Sequence, residues 1–162
     1  PNLNFNSTIG IELELYTTIN DHTFKVIIDR IEKTGNSIDI HDYKTGRPKS
    51  KGSLNSDIQL VIYQIAMQEK YPDEKFSLNW HFLKEKTKNK QHIKIKKTSN
   101  EILNTINKIS KTINKIIENK NNQSDKISFP AKTSFLCNWC YLWEYCYAKK
   151  QYNEKNQALN IE

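Results

Sequence analysis

Residues 24–46 read FKVIIDRIEKTGNSIDIHDYKTG, with an isoleucine-rich run on either side of Gly35-Asn36. Isoleucine suits a pleated, half-buried strand, and a Gly-Asn pair between two such runs is typical of a two-residue hairpin turn. The stretch therefore predicts an antiparallel β-hairpin, with strands near 24–33 and 37–44.

The register of this hairpin brings charged side chains together. With the turn centred on Gly35-Asn36, Asp29 lies opposite Asp42 and Ile27 lies opposite Lys44, next to the Ile31–Ile40 pair. Opposed side chains share one face of a sheet, about 5 Å apart, and alternate residues of a strand share a face. Two carboxylates and one ammonium group are therefore predicted to converge on one small patch.

This patch has a chemical and a structural interpretation. Opposed carboxylates repel unless a positive charge neutralises them, and Mg²⁺ is often held by one or two carboxylates together with phosphate oxygens. A nearby lysine then stabilises the charge of a phosphoryl group during transfer. In the structural alternative, Asp29 pairs with Arg30 or Lys44 on a solvated strand. The apolar surroundings favour the metal, because an unpaired charge is costly there.

The segments IDRIE, DYKTGRP and QLVIY, in this order, resemble the PD-(D/E)xK nuclease superfamily in its RecB/AddB-like branch. The resemblance covers about Ile9 to Tyr63, and a cysteine-containing tail extends it to Cys146. It implies an α/β (α+β) fold with a restriction-endonuclease-like core, in which a mixed central sheet is flanked by helices. It also implies a nuclease, which we expect to be an exonuclease acting on DNA.

The resemblance gives roles to individual residues. It implies that Asp29 and Asp42, with the Tyr43 carbonyl as a third ligand, bind Mg²⁺ or Mn²⁺ and that Lys44 orients the attacking water. Gln59 and Tyr63 match the Q-x-x-x-Y element that follows in this branch, and we expect them to position the site or the DNA backbone.

Two departures from the family pattern support a rival interpretation, a non-catalytic DNA-binding module with a degenerate nuclease fold. Ile27 stands where the family usually has glycine, and the helix that usually supplies a further acid or histidine upstream is not present. Glu12 and Glu14 are the nearby acids on the first strand, and we expect both to be exposed to solvent. They alternate with an apolar face that we expect to be buried, formed by Ile9, Ile11, Leu13 and Leu15. A purely structural, partner-binding domain is a third interpretation, but it leaves the convergence of Asp29, Asp42 and Lys44 unexplained.

The remaining periodicities complete the predicted domain. Strands are expected near 8–18, 76–83 and 91–97, and helices near 56–70 and 99–119. Ser56 or Asn55 is the predicted N-cap of the first helix, whose apolar stripe is Ile58, Val61, Ile62 and Ile65. Residues 45–55 are predicted to form a basic loop. His81 is expected at the surface, and Phe76, Leu78, Trp80 and Phe82 in the core.

The tail contains the pattern C-x2-C-x5-C at Cys137, Cys140 and Cys146, within an aromatic-rich segment. Closely spaced cysteines can bind one metal. The tail resembles the iron–sulfur module of AddB-type and CRISPR-associated RecB-like nucleases, which implies a 4Fe-4S cluster if a fourth ligand exists. Zn²⁺ completed by a histidine, or three reduced cysteines without a metal, are the alternatives. We expect any cluster to be structural.

Composition limits the class of protein. The chain has 162 residues and a net charge of +7, which suits one domain and a polyanionic partner such as DNA. We expect residues 1–135 to form the nuclease core and residues 136–162 a helical tail packed on it. The sequence contains no secretion signal or membrane-length apolar run, so we expect a cytoplasmic protein. A helicase or another recombination or repair protein is the expected protein partner. The chain begins at Pro1, so an upstream segment is expected to be missing.

Overall fold

The computed structural model describes residues 5–121 and 129–149, which fall into two compact units, Pro1–Thr112 and Ile113–Glu162. The strands are β1 (Thr8–Ile19), β2 (His22–Thr34), β3 (Ser37–Lys44), β4 (Lys75–Phe82) and β5 (His92–Ile95). The helices are α1 (Lys51–Asn55), α2 (Gln59–Lys70), α3 (Lys88–Gln91) and α4 (Ser99–Asn121). Short 3-10 helices span Phe5–Ser7, Phe135–Trp139 and Trp143–Tyr145. Within the described ranges, no helix is long and apolar enough to cross a bilayer.

The first unit contains a mixed five-stranded sheet in which the strands lie in sequence order. β2 and β3 pair antiparallel from Thr34↔Ser37 to Arg30↔His41, which confirms the predicted hairpin and its register. Gly35 has a φ of 55°, a left-handed conformation that glycine adopts without a Cβ penalty. The predicted continuation to Asp29 and Asp42 is not among these pairs, since the Asp29 carboxylate instead accepts a hydrogen bond from the Tyr43 amide.

β3 and β4 pair in parallel, so the chain between them must cross over the sheet. This crossover contains α1 and α2, and α2 contacts β1, β2, β3 and β4. The core forms between α2 and the sheet, and the predicted aromatic face of β4 is buried in it. The fully or nearly fully buried core residues include Ile31, Ile38, Ile40, Leu60, Met67, Leu78 and Trp80.

Two local predictions about side-chain exposure were wrong. On β1, the inward- and outward-facing positions swap near Glu12, whose φ is 47°. Leu13 and Leu15 therefore pack on the core, whereas Ile9 and Ile11 are exposed. On α2, the buried side chains are those of Leu60, Val61, Tyr63, Gln64, Ala66 and Met67. Ile62 and Ile65 are only partly buried, because the helix turns a different face to the sheet than the isoleucine stripe indicated.

The start of α2 also differs from the prediction. The basic loop contains the short helix α1, and Ser56 is its C-cap rather than the N-cap of α2. α2 begins after Ile58, which provides no side-chain cap. Asp57 takes over part of this function, because its Oδ1 accepts a hydrogen bond of 2.9 Å from the Gln59 amide.

The described part of the tail, residues 129–149, belongs to the second unit, and the rest of the predicted helical tail lies outside the described residues. Two short 3-10 helices follow one another, and the amides of Cys140 and Cys146 each close a turn on the residue three positions earlier. Ser134 caps the first of these helices, and the Cys137 sulfur accepts a hydrogen bond from the Ser134 amide.

Candidate active site

The site is built from the end of β3 and the adjacent part of β2. Asp42 and Lys44 are two residues apart on β3, so they point to the same face of the sheet, the one that α2 covers. The Lys44 ammonium lies 2.9 Å from both carboxylate oxygens of Asp42. Asp29 on β2 accepts a hydrogen bond of 2.7 Å from the backbone amide of Tyr43, which fixes its carboxylate beside this strand end.

Helix α2 supplies the second half of the site. The Gln59 side-chain oxygen accepts a hydrogen bond of 2.9 Å from Lys44 Nζ, and its amide nitrogen donates one of 2.7 Å to the Tyr63 hydroxyl. These two residues are four apart and therefore lie on one face of the helix. A continuous chain of contacts thus links Asp42 to Lys44, Gln59 and Tyr63, and all five predicted site residues lie in one neighbourhood.

The electrostatics of the site centre on Asp42, which is only 2 % exposed. Burial raises the pKa of its carboxyl group, and the charges of Asp29 and Asp57 raise it further, whereas Lys44 opposes the shift. Burial also raises the pKa of the Tyr63 hydroxyl, and the charge of Asp42 adds to that effect. Within the site itself, the two carboxylates of Asp29 and Asp42 therefore outnumber the single Lys44 ammonium.

The carboxylates fit a divalent cation. Asp42 Oδ2 is buried and makes no hydrogen bond among the described residues, although Lys44 Nζ lies close to it. An oxygen of this kind is the hard ligand that Mg²⁺ or Mn²⁺ takes, and such ions are held by one or two carboxylates with water and phosphate completing the shell. In the described residues, His, Cys, Asp and Glu do not form a metal-holding group of three or more. Asp29 and Asp42 are therefore only two candidate ligands, and oxygens of water or substrate would have to complete the shell of a cation there.

A basic cavity of about 130 Å³ adjoins the site on the side of the loop after β3. Lys44 lines it together with Arg47 and Lys49, and Trp80 and Phe82 form part of its wall. Lys49 Nζ lies 3.6 Å from an Asp57 carboxylate oxygen, which holds this loop over the start of α2. The predicted loop cations are thus placed where a phosphate group beside Lys44 would meet them.

The model of the PD-(D/E)XK nuclease superfamily matches residues 4–147, which is most of the chain. The chain belongs to the PD-(D/E)XK nuclease superfamily. Its mixed sheet with flanking helices is the restriction-endonuclease-like α+β fold expected of such a nuclease. A search of curated proteins found no match.

Asp57 is the site residue that the sequence analysis missed. Its carboxylate raises the pKa of Asp42, accepts a hydrogen bond from the Gln59 amide and pairs with Lys49. The sequence could have indicated Asp57 by its position, two residues before Gln59 at the start of a helix, because carboxylates are favoured there.

The opposite face of the sheet contains a stack of three histidines, His41, His81 and His92. His41 neighbours Asp42 on β3, so its side chain points away from the site. His81, predicted at the surface, is half-buried, and its Nε2 lies 2.8 Å from His41 Nδ1 in a hydrogen bond. The ring centroid of His81 lies 5.1 Å from that of His41 and 4.6 Å from that of His92. Burial is the main cause that lowers the pKa values of both His41 and His81 to about 4.

The cysteines of the tail do not form a metal site in this structure. Cys137 and Cys146 are half-buried and Cys140 is exposed, and all three are free thiols. Among the described residues, they are not part of any group of three His, Cys, Asp or Glu placed to hold a metal ion. Within the part of the chain that the structure describes, the donor set that a 4Fe-4S cluster or Zn²⁺ would need is therefore not assembled.

Proposed function

We propose that this chain is a Mg²⁺- or Mn²⁺-dependent deoxyribonuclease, and specifically an exonuclease of the RecB/AddB-like kind. Its proposed role is in DNA repair, recombination or processing, beside a helicase or another repair protein. One observation carries the catalytic part of the proposal. The Lys44 ammonium is held at 2.9 Å between the buried Asp42 carboxylate and the Gln59 amide. The order of the segments IDRIE, DYKTGRP and QLVIY supports the branch and the exonuclease mode.

The proposed chemistry is hydrolysis of a phosphodiester bond. Asp29, Asp42 and the Tyr43 carbonyl would hold the cation, which supplies Lewis-acid polarisation of a phosphoryl oxygen and lowers the pKa of water. Two of the three Lys44 protons are directed at Asp42 and Gln59, which leaves the third for the attacking water or a phosphate oxygen. In that position, Lys44 stabilises the negative charge that develops on the phosphoryl group.

Gln59 and Tyr63 act on Lys44 and on the substrate. Gln59 accepts from Lys44 and donates to Tyr63, so both ends of its amide are fixed. Because the Tyr63 hydroxyl accepts this hydrogen bond, its own proton can be donated to a phosphate oxygen. A cluster or Zn²⁺ at the cysteines is not part of this mechanism, since the residues described in the tail do not gather the ligands.

The test is cleavage of end-labelled linear DNA with Mg²⁺, with Mn²⁺ or with EDTA. We expect metal-dependent cleavage by wild type and a loss of about 100-fold or more for Lys44→Ala, in line with removal of one transition-state donor. Lys86→Ala is the matched control, because Lys86 is exposed on a loop after β4. Mononucleotide products would support the exonuclease mode, and internal fragments would contradict it.

Two results would refute the proposal. Cleavage that survives in Lys44→Ala would show that the residues assigned here are not the active site. A folded wild type that binds DNA in a salt-dependent manner but does not cleave it with either metal would favour the non-catalytic DNA-binding module instead.

A further inference from the structure

An open apolar groove of about 480 Å³ runs alongside the candidate active site, between β2 and the first turns of α2. Its walls are formed mainly by Phe24 and Ile27 from β2 and by Ile58 and Ile62 at the start of α2. A volume of this size falls within the roughly 300–1,000 Å³ of pockets that bind small organic groups. The groove is therefore large enough for one planar ring system.

The groove is continuous with the site. Gln59 and Tyr63, which form the hydrogen-bonded chain to Lys44, also line the groove. Lys44 itself lines the basic cavity on the other side. The site therefore lies between a cationic surface and an apolar one, which are the two surfaces that proteins use for the backbone and the bases of a single strand.

The walls match one part of a nucleotide. They offer an aromatic ring from Phe24 and aliphatic side chains, whereas Lys25 adds a positive charge to the lining. Ile27 is 44 % exposed, so a large apolar side chain faces the groove uncovered. A nucleobase covers such surface by stacking, and it does so without sequence preference because every base has an apolar face.

We propose that this groove takes an unpaired nucleobase of the substrate strand, next to the phosphate that is cut. The proposal rests on the deoxyribonuclease function proposed above. A base in a duplex has both faces stacked and its edge paired, so it must leave the helix before it can enter. The enzyme therefore cuts single-stranded DNA, or an unpaired end, in preference to intact duplex.

Ile27 has a defined role in this proposal. It occupies the position where the family pattern has glycine, and the structure places it in the wall of the groove beside Ile58 and Gln59. It pairs across the β1–β2 ladder with Glu14, not with Lys44 as the sequence predicted. Its apolar surface is thus a contact for substrate at a distance from the metal ligands.

The experiment compares cleavage of one oligonucleotide as a single strand and as a blunt duplex, with the metal present. We expect wild type to prefer the single strand by about tenfold or more, since a paired base must first be extruded. Ile27→Glu places a charge in the groove and should remove most of this preference. Ile11→Glu is the matched control, because Ile11 is an exposed isoleucine of β1 outside the groove.

A binding measurement tests the groove without cleavage. The Lys44→Ala variant is titrated with single strands that carry 2-aminopurine at successive positions, since the fluorescence of this base reports unstacking from its neighbours. We expect a saturable signal at one position, weakened when Phe24→Leu or Ile27→Glu is added to Lys44→Ala. Phe24→Leu removes the ring but keeps an apolar side chain, so it remains informative if Ile27→Glu does not fold.

The outcomes separate this inference from the function on which it rests. Equal cleavage of single strand and duplex by wild type, or an unchanged preference in folded Ile27→Glu, would overturn the groove proposal and leave the nuclease intact. Absence of cleavage on both substrates would refute the nuclease, and the 2-aminopurine titration would then decide the groove alone. A signal that is identical in the groove variants would overturn it.

Discussion

Acidification is predicted to destabilise the fold through the histidine stack. His41 and His81 have pKa values near 4 in the folded protein, against an ordinary value of 6.5. As the pH falls between these values, the unfolded chain binds protons that the folded protein does not, so the free energy of unfolding decreases. Between about pH 7.5 and about pH 4.5, one such ring lowers the free energy of unfolding by at most about 2.5 kcal/mol, and by less where solvent screens a half-buried ring such as His81.

The groups around the stack explain why His41 and His81 resist protonation. Arg30 from β2 lies beside His41, and its positive charge lowers the pKa values of both His41 and His81. Glu32, 3.2 Å from His41 Nε2, and Asp39 are the acids that face the stack from β2 and β3. Tyr43 of β3 stacks on His81, and His92 and Lys94 bring two further basic groups from β5. Because the desolvation of the buried His41 ring and of the half-buried His81 ring dominates, these acids do not restore the ordinary pKa values.

The assay is urea unfolding at 25 °C, followed by tryptophan fluorescence over a series of pH values, since Trp80 is fully buried. His81→Gln keeps a hydrogen-bonding group opposite His41 but cannot be protonated, so its pH dependence should be smaller by about one ring's share. His22→Gln, at an exposed histidine of β2, is the control and should follow wild type. If wild type and His81→Gln lose the same free energy between neutral and acidic pH, the reasoning is refuted.

Two further predictions concern residues around Lys44. Gln59→Ala removes the acceptor that positions the Lys44 ammonium, so the cleavage rate should fall by about 10- to 100-fold, as for a misplaced catalytic group. The melting temperature should stay close to that of wild type, because this hydrogen bond is exposed to solvent. Gln68→Ala on the same helix is the control, and an unchanged rate in Gln59→Ala would exclude the positioning role. Asp57→Asn removes one of the charges that raise the pKa of Asp42, so that carboxyl group should ionise at lower pH. The acidic limb of the pH–rate profile at subsaturating Mg²⁺ should therefore move to lower pH, and a shift to higher pH would contradict the assignment.

The parts of the fold that the sequence predicted are those in which the signal is local. The turn at Gly35-Asn36 fixed the β2–β3 register, and the alternation in residues 76–83 identified the buried face of β4 because both depend on near neighbours. The resemblance to the Q-x-x-x-Y element indicated Gln59 and Tyr63, which periodicity alone could not connect to Asp42.

The parts that the sequence did not predict depend on tertiary context. The left-handed conformation of Glu12 shifts the alternation of β1, and a single glutamate gives no warning of it. The histidine stack joins three strands, so His41, His81 and His92 could be brought together only after the parallel register of β3 and β4 was known. Asp57 lies within the crossover that follows β3, so its effect on the pKa of Asp42 depends on how that segment packs against the strand end.

The crossover between β3 and β4 also determines when the site can form. A hairpin such as β2–β3 closes within microseconds, whereas a parallel pair must wait for the ordering of the intervening chain, here the segment from residue 45 to residue 74. Both carboxylates and Lys44 belong to the early hairpin, but Gln59 and Tyr63 lie inside the late segment. The chain can therefore assemble its acidic half first, and Lys44 gains its partner on α2 only as the sheet is completed, so recovery of cleavage during refolding should report this last step rather than the first.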